Sequence, residues 1–250
     1  MDKKFFENNS NPSDYSSSTL KLLDVHKKNA GFTEYCASKC LNESGESSYH
    51  WLVNVINQQK HTQILDLACG SGLLLELCSE KFDQKIFLSG VDMSKEELKI
   101  ARMRLAGKNV TLHEGFAQNL NFFPRDKFDV VLCHWALTLM DPIYPVLREI
   151  KRVIKPDGVF AAITDGNHNL SKQYNEIHNL IYKLSRGVSK VRSFCELGDV
   201  RTRSADSLKN LMENVFSNPK VEIVPDVVVM EDSPKNLSKT VSGFFYASFF

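Results

Sequence analysis

The sequence lacks several features that would set its class at once. Over 250 residues no stretch approaches the 18 uninterrupted apolar residues of a membrane-crossing helix. The opening residues MDKKFFENNSNPSDYSSS contain no apolar run of signal-peptide length. These two absences set the expectation of a cytoplasmic protein with no membrane partner. Charge of one sign is also missing: 31 Lys and Arg stand against 30 Asp and Glu, a net +1 that gathers neither nucleic acid nor an anionic surface. The six cysteines are few, and most sit in apolar runs where a reduced thiol behaves as a small hydrophobe. Cys36 and Cys40 in CASKC, with His50 beyond them, lack the further ligands a metal site wants, so no metal is expected.

What is present is enough apolar material, 42% of the chain, for one domain of the larger α/β kind. Residues 1–18 are rich in Asn, Ser and Asp and are expected to form a mobile arm, leaving a single domain over 19–250. Residues 20–59 suggest short helices, with Trp51, Leu52, Val55 and Ile56 on one face of YHWLVNVINQQ. From there strand and helix patterns alternate. Strands are expected at 63–67, 86–92, 110–114, 128–134 and 158–164, and helices at 72–81, 96–106 and 143–154. Repeated βα units of this length predict a doubly wound, mostly parallel sheet, because parallel strands need crossover connections. An interruption over about 166–205 is a candidate lid, since insertions after a strand's carboxyl end lie over the ligand crevice. A helix at 207–215 and a strand near 221–229 follow it within a C-terminal portion, 206–250.

The chemistry concentrates where the first strand meets its turn, in ILDLACGSG, residues 64–72. Gly70 and Gly72 let backbone approach a nucleotide closely. Asp92 closes the second strand twenty positions past Gly72, where a carboxylate accepts hydrogen bonds from ribose hydroxyls. The third glycine of a dinucleotide fingerprint is absent, its position taken by Leu75, and no Gly-Lys-Ser/Thr follows. Both omissions count against a phosphate-bearing ligand.

Five ordered segments, ILDLACGSG, GVDMS, EGFAQNLNF, KFDVVLCHWALTLM and LREIKRVIKPDGVFAAI, together resemble the class I S-adenosylmethionine-dependent methyltransferases, over residues 64–164. The resemblance implies a Rossmann-like fold with seven strands, S-adenosylmethionine as cofactor, and methyl transfer that releases S-adenosylhomocysteine. It also implies roles. Gly70 and Gly72 line the methionine part of the cofactor, with Ala68 in the same turn, and Asp66 orients the ammonium group. Asp92 binds ribose and Met93 packs on one adenine face. Phe116 and Ala117 hold the adenine edge and its other side. Cys133 and His134 border the amino-acid moiety and the transferable methyl. Phe116 departs from a frequent Asp at its position, so Gln118 or a backbone carbonyl has to meet the adenine amino group.

His134 is the candidate catalytic residue, as base or substrate-orienting group, against the alternative of a structural histidine. His168 is a further candidate for pocket contact. Tyr35, Tyr49 and Trp51 precede the first strand and are read either as a dry wall over the acceptor or as core. Arg186, Lys190, Arg192, Arg201 and Arg203 are read as a solvated face, and the ending SGFFYASFF as an apolar element packed on the sheet. The expected acceptor is a small molecule, methylated on oxygen, nitrogen or carbon. The alternatives are an enzyme of the same class acting on RNA or protein, and a non-catalytic cofactor-binding module.

Overall fold

A computed structural model of the protein describes residues 17–82, 85–166, 171–188, 198–217 and 219–243. Residues 1–16 of the expected arm, His168, Lys190, Arg192, Cys195 and the last seven residues lie outside the described residues. Five strands, β1 Gln63–Leu67, β2 Phe87–Asp92, β3 Val110–Glu114, β4 Phe128–His134 and β5 Ile154–Ile163, form one parallel sheet in the order β3-β2-β1-β4-β5. The chain winds outward from β1 in one direction and then returns to wind in the other. The crevice between the carboxyl ends of β1 and β4 is therefore the switch point at which such sheets bind ligands.

All seven residues of β4 are buried, as are four of the five in β1, because helices cover both faces. Alternate side chains of β4 serve opposite layers. Val130 and Leu132 join Ile64, Leu88 and the residues of helices α3 Ser48–Asn54, α4 Leu73–Lys81 and α5 Lys95–Arg104. Val131 and Cys133 join Leu65 and Leu67 against helices α6 Ile143–Val153 and α8 Ala205–Val215. Helix α6 shows how the sequence dictates this. Ile143, Val146, Leu147, Ile150 and Val153 recur at spacings of three and four and are buried, and Pro145 sits in the first turn, where its missing N–H breaks no helical bond.

The segment before β1 makes a cover of α1 Ser17–Lys28, α2 Phe32–Ala37 and α3. Helix α1 crosses the carboxyl ends of the strands: Thr19 donates to the Asp141 carbonyl at 3.0 Å beyond β4, and His26 meets Glu97 of α5 beyond β2. Two further helices, α7 Lys172–Val188 and α9 Pro234–Gly243, belong to the insertion and the C-terminal portion. No helix among the described residues is long and apolar enough to cross a membrane.

Three local expectations come out differently. Among the described residues the sheet has five strands where seven are expected. Residues 221–229 run as irregular chain with one bridge, Leu41 to Val229, because Pro225 interrupts the apolar run and has no N–H to offer a ladder. Helix α3 closes at Asn54, so Leu52 and Ile56 reach the core while Trp51, placed on their face by the sequence pattern, stays 40% exposed.

Candidate active site

The site begins where β1 ends. Asp66 is 1% exposed, and among the described residues neither oxygen of its carboxylate has a hydrogen-bond donor. Burial, and after it the charge of Asp92, pushes its pKa well above the ordinary carboxylate range. The turn that follows is held in left-handed backbone at Ala68, Gly70 and Gly72, with φ of 59°, 51° and 84°. Gly70 donates its N–H to Asp92 Oδ2 at 2.8 Å, tying the first turn to the end of the second strand. Gly72 caps α4 from outside the cavity. A Cβ there would lie 3.0 Å from the Ala101 Cβ, so this glycine lets α4 and α5 close together.

Beyond β2, Asp92 accepts a second amide, Ser94 N–H, on Oδ1 at 2.8 Å. Burial raises its pKa, and the bonds from Ser94 and Gly70 work in the opposite sense. Each carboxylate oxygen keeps a second lone pair for a further donor, and Asp92 lines the cavity. Ser94 caps α5 by accepting from Glu97 N–H.

At the end of β4 the imidazole of His134 is 7% exposed. Its Nε2 is 2.8 Å from Ser48 Oγ, and the Tyr49 ring stacks on it with centroids 3.8 Å apart. Burial takes its pKa down to about 3, so the ring is neutral at physiological pH. Met93, Phe116, Ala117 and Gln118 close the side beyond β2 and β3. Together these groups enclose about 960 Å³ of space, part of it open to solvent.

Residues 65–162 match the family model described as a methyltransferase domain. The core is a methyltransferase domain. Among curated proteins, a demethylmenaquinone methyltransferase of Listeria monocytogenes is 31% identical over 121 residues, covering 47% of this chain and 51% of that protein. One from Staphylococcus epidermidis is 25% identical over 169 residues, 67% of this chain and 66% of that protein. The chain thus spans about half the length of the first of these relatives. Among solved structures, geranyl diphosphate methyltransferase in complex with GPP and sinefungin has a TM-score of 0.51 at 13% identity, covering 68% of this chain and 58% of that one. This likeness shows the shared fold.

In the methyltransferase core the positions singled out by sequence divide into two groups. Asp66, Ala68, Gly70, Asp92, Met93, Phe116, Ala117 and His134 line one cavity, with Gln118 beside them. Gly72 and Cys133 do not. Gly72 faces α5, and Cys133 points into the layer under α6, where burial raises its thiol to about 12. Of the three early aromatics only Tyr49 reaches the cavity, whereas Tyr35 and Trp51 are exposed. Sequence reasoning missed the cover's contribution, above all Glu34, and it missed Glu97. Glu34 accepts two guanidinium bonds from Arg104, both 2.7 Å, and also takes the hydroxyl of Ser71 in the glycine turn. Its sole signal in sequence is an acidic residue in a short helix.

Proposed function

We propose that the chain binds S-adenosylmethionine in this cavity and transfers its methyl group to a small-molecule acceptor, on oxygen, nitrogen or carbon. The observation that carries the reading is Asp66. A carboxylate buried with both oxygens unpartnered costs several kcal/mol unless a ligand supplies donors or positive charge. An α-ammonium group beside a sulfonium meets that need with both donors and positive charge, and a phosphate does not. Gly70, which has no side chain, lines the same cavity as Asp66. In this reading Asp92 takes ribose hydroxyls, and Met93, Phe116 and Ala117, which line the same cavity, surround the adenine.

When bound, S-adenosylmethionine supplies an electrophilic methyl carbon that needs no metal or oxidant to react. The protein's part is to hold that carbon in line with the acceptor and to keep water away, and placement of this kind supplies much of the rate. Tyr49, Leu139, Met140 and Trp135 form an apolar wall around the region of His134. His134, neutral and fixed by Ser48 and Tyr49, orients the acceptor through its ring and its neighbours. The reading assigns it no proton transfer. The acceptor is then one whose reacting atom is already nucleophilic or has lost its proton before it enters the cavity. Helix α7 and residues 198–205, the described parts of the expected lid, are proposed to cover the acceptor side.

A small acceptor is favoured by the net charge of +1, which offers no field for RNA, and by the apolar wall. The relatives named demethylmenaquinone methyltransferases favour it as well. Calorimetric titration with S-adenosylmethionine, S-adenosylhomocysteine and NAD tests the cofactor, and Asp92→Ala is expected to weaken the first two by about a hundredfold. Labelled methyl transfer in a metabolite extract and in a macromolecular fraction tests the acceptor. Tight NAD binding without response to either sulfur ligand overturns the cofactor, and label confined to RNA or protein overturns the acceptor class.

A further inference from the structure

Glu97 is the second carboxylate in the cavity with an oxygen left over. Its side chain is 3% exposed, and its Oε1 accepts from Gly31 N–H at 3.0 Å and faces His26 Nδ1 at 3.1 Å. Oε2 is buried with no hydrogen-bond partner among the described residues and lies 3.8 Å from where a Cβ on Gly70 would be, the glycine whose N–H bonds Asp92 in the same cavity.

The local sequence explains how this oxygen becomes free. Ser94 and Glu97 have the S-x-x-E spacing of a capping box, in which the glutamate side chain turns back to the serine N–H. Here that N–H is already taken by Asp92 Oδ1 at 2.8 Å, while the serine hydroxyl still caps the helix at Glu97 N. Asp92 thus displaces Glu97 from the box, and the glutamate turns toward the cover. Anchoring the cover needs one acceptor oxygen, which an amide side chain would supply. The buried second oxygen, left without a donor, is destabilising unless a ligand meets it.

We propose that Glu97 is a further ligand-binding carboxylate of the cavity and couples it to the cover. Oε1 holds the cover at Gly31 and His26, and Oε2 accepts a ribose hydroxyl of the nucleoside beside Asp92. The proposal rests on the S-adenosylmethionine reading of the cavity. Its consequence is that ligand binding and closure of α1 and α2 are linked, since one side chain serves both.

The test uses the full chain. S-adenosylhomocysteine is titrated into wild type and Glu97→Gln, alongside its 2′-deoxy and 3′-deoxy analogues. Glu97→Gln is expected to weaken the parent ligand about tenfold, and one deoxy analogue is expected to bind both proteins equally. Unchanged affinity in the variant, or deoxy penalties that persist in full there, overturns the ribose contact. Trypsin cleavage at the exposed Lys27 and Lys28 reads the cover in wild type alone, which keeps the coupling testable if the variant does not fold. Cleavage is expected to slow severalfold on adding S-adenosylhomocysteine, and an unchanged rate overturns the coupling. A wild type that binds no sulfur ligand overturns the cofactor reading and this inference with it. A wild type that binds, loses affinity with Asp92→Ala and is indifferent to Glu97→Gln overturns the inference alone.

Discussion

The ring of Tyr49 lies 12° from parallel on the imidazole of His134, with centroids 3.8 Å apart, while Ser48 bonds the edge of the same imidazole. Two consecutive residues of the cover thus fix one residue of the sheet, and they bury it so deeply that protonation is suppressed to about pH 3. A group whose pKa falls this far is uncharged throughout the physiological range, so it adds no acid limb to a rate profile near neutrality. Methyl transfer measured from pH 5 to 9 is expected to show no ionisation belonging to His134. An acid limb near pH 6–7 that disappears in His134→Asn would return the residue to the role of general base.

Asp66 yields a second pH effect, of opposite character. Burial raises its pKa in the free protein, and an ammonium group placed against it favours the ionised form. Binding therefore expels a proton over the window between the ligand-bound and the raised free-protein values, and affinity for S-adenosylmethionine climbs with pH across it. Calorimetry in buffers of different ionisation enthalpy measures the release directly. 5′-Methylthioadenosine, which lacks the amino-acid portion, is expected to release none. Asp66→Asn is expected to remove the linkage and to weaken S-adenosylmethionine by about ten- to a hundredfold. Equal proton release for the two ligands would place the ammonium elsewhere.

The extent to which this was legible in the sequence follows from what each residue does locally. The βα units from β1 to β5 are marked by continuous apolar strands and by helices such as α6, whose periodicity survives folding because one face meets the sheet. Asp66, Gly70 and Asp92 are found because they stand at strand ends, where topology alone brings them together. Glu97 is hidden because its spacing from Ser94 already has a local explanation, and only the competing bond from Ser94 N–H to Asp92 removes it. Tyr49 and Trp51 sit two positions apart in a helix of under two turns, so their faces are set by where α3 docks and not by any period. The run at 221–229 has strand composition, yet Val227 remains 70% exposed there, since composition does not provide a neighbouring strand.

At the opposite end of the sheet Asp129 holds three elements together. It accepts Thr62 N–H and Gln63 N–H, each at 2.8 Å, and Lys155 Nζ at 2.6 Å. Burial opposes its ionisation, but the bonds from Lys155, Thr62 and Gln63 outweigh it and bring the pKa to about 2. Because the folded value lies below the ordinary one of 3.8, the stabilisation is complete above that pH and disappears as pH falls through about 2. Asp129→Ala is expected to cost about 1–3 kcal/mol at neutral pH, a fall of several degrees in Tm, with no change in cofactor affinity once folded. The deficit should shrink in acid. A Tm difference that is the same at pH 7 and pH 2.5 would show that the charge of Asp129 contributes nothing.

Leu75 occupies the position where a dinucleotide-binding turn has its third glycine, and the close approach that glycine would provide is supplied from the other side. A Cβ on Gly90 of β2 would lie 2.7 Å from Leu75 Cδ1, 2.8 Å from Leu112 Cδ2 and 2.9 Å from Cys69 Sγ. Helix and strand therefore meet as a leucine over a glycine, with the small residue on the strand. Gly90→Ala forces apart two buried neighbours, Leu75 and Cys69, and the partly buried Leu112, and is expected to destabilise the fold by about 1–3 kcal/mol. Leu75→Ala leaves a cavity and costs about 2–5 kcal/mol by itself. Because both changes act on the same contact, the double variant is expected to be more stable than the sum of the two predicts, by about 1 kcal/mol in a denaturant-melt cycle. Strict additivity would mean that Leu112 and Cys69, and not Leu75, set the space available above Gly90.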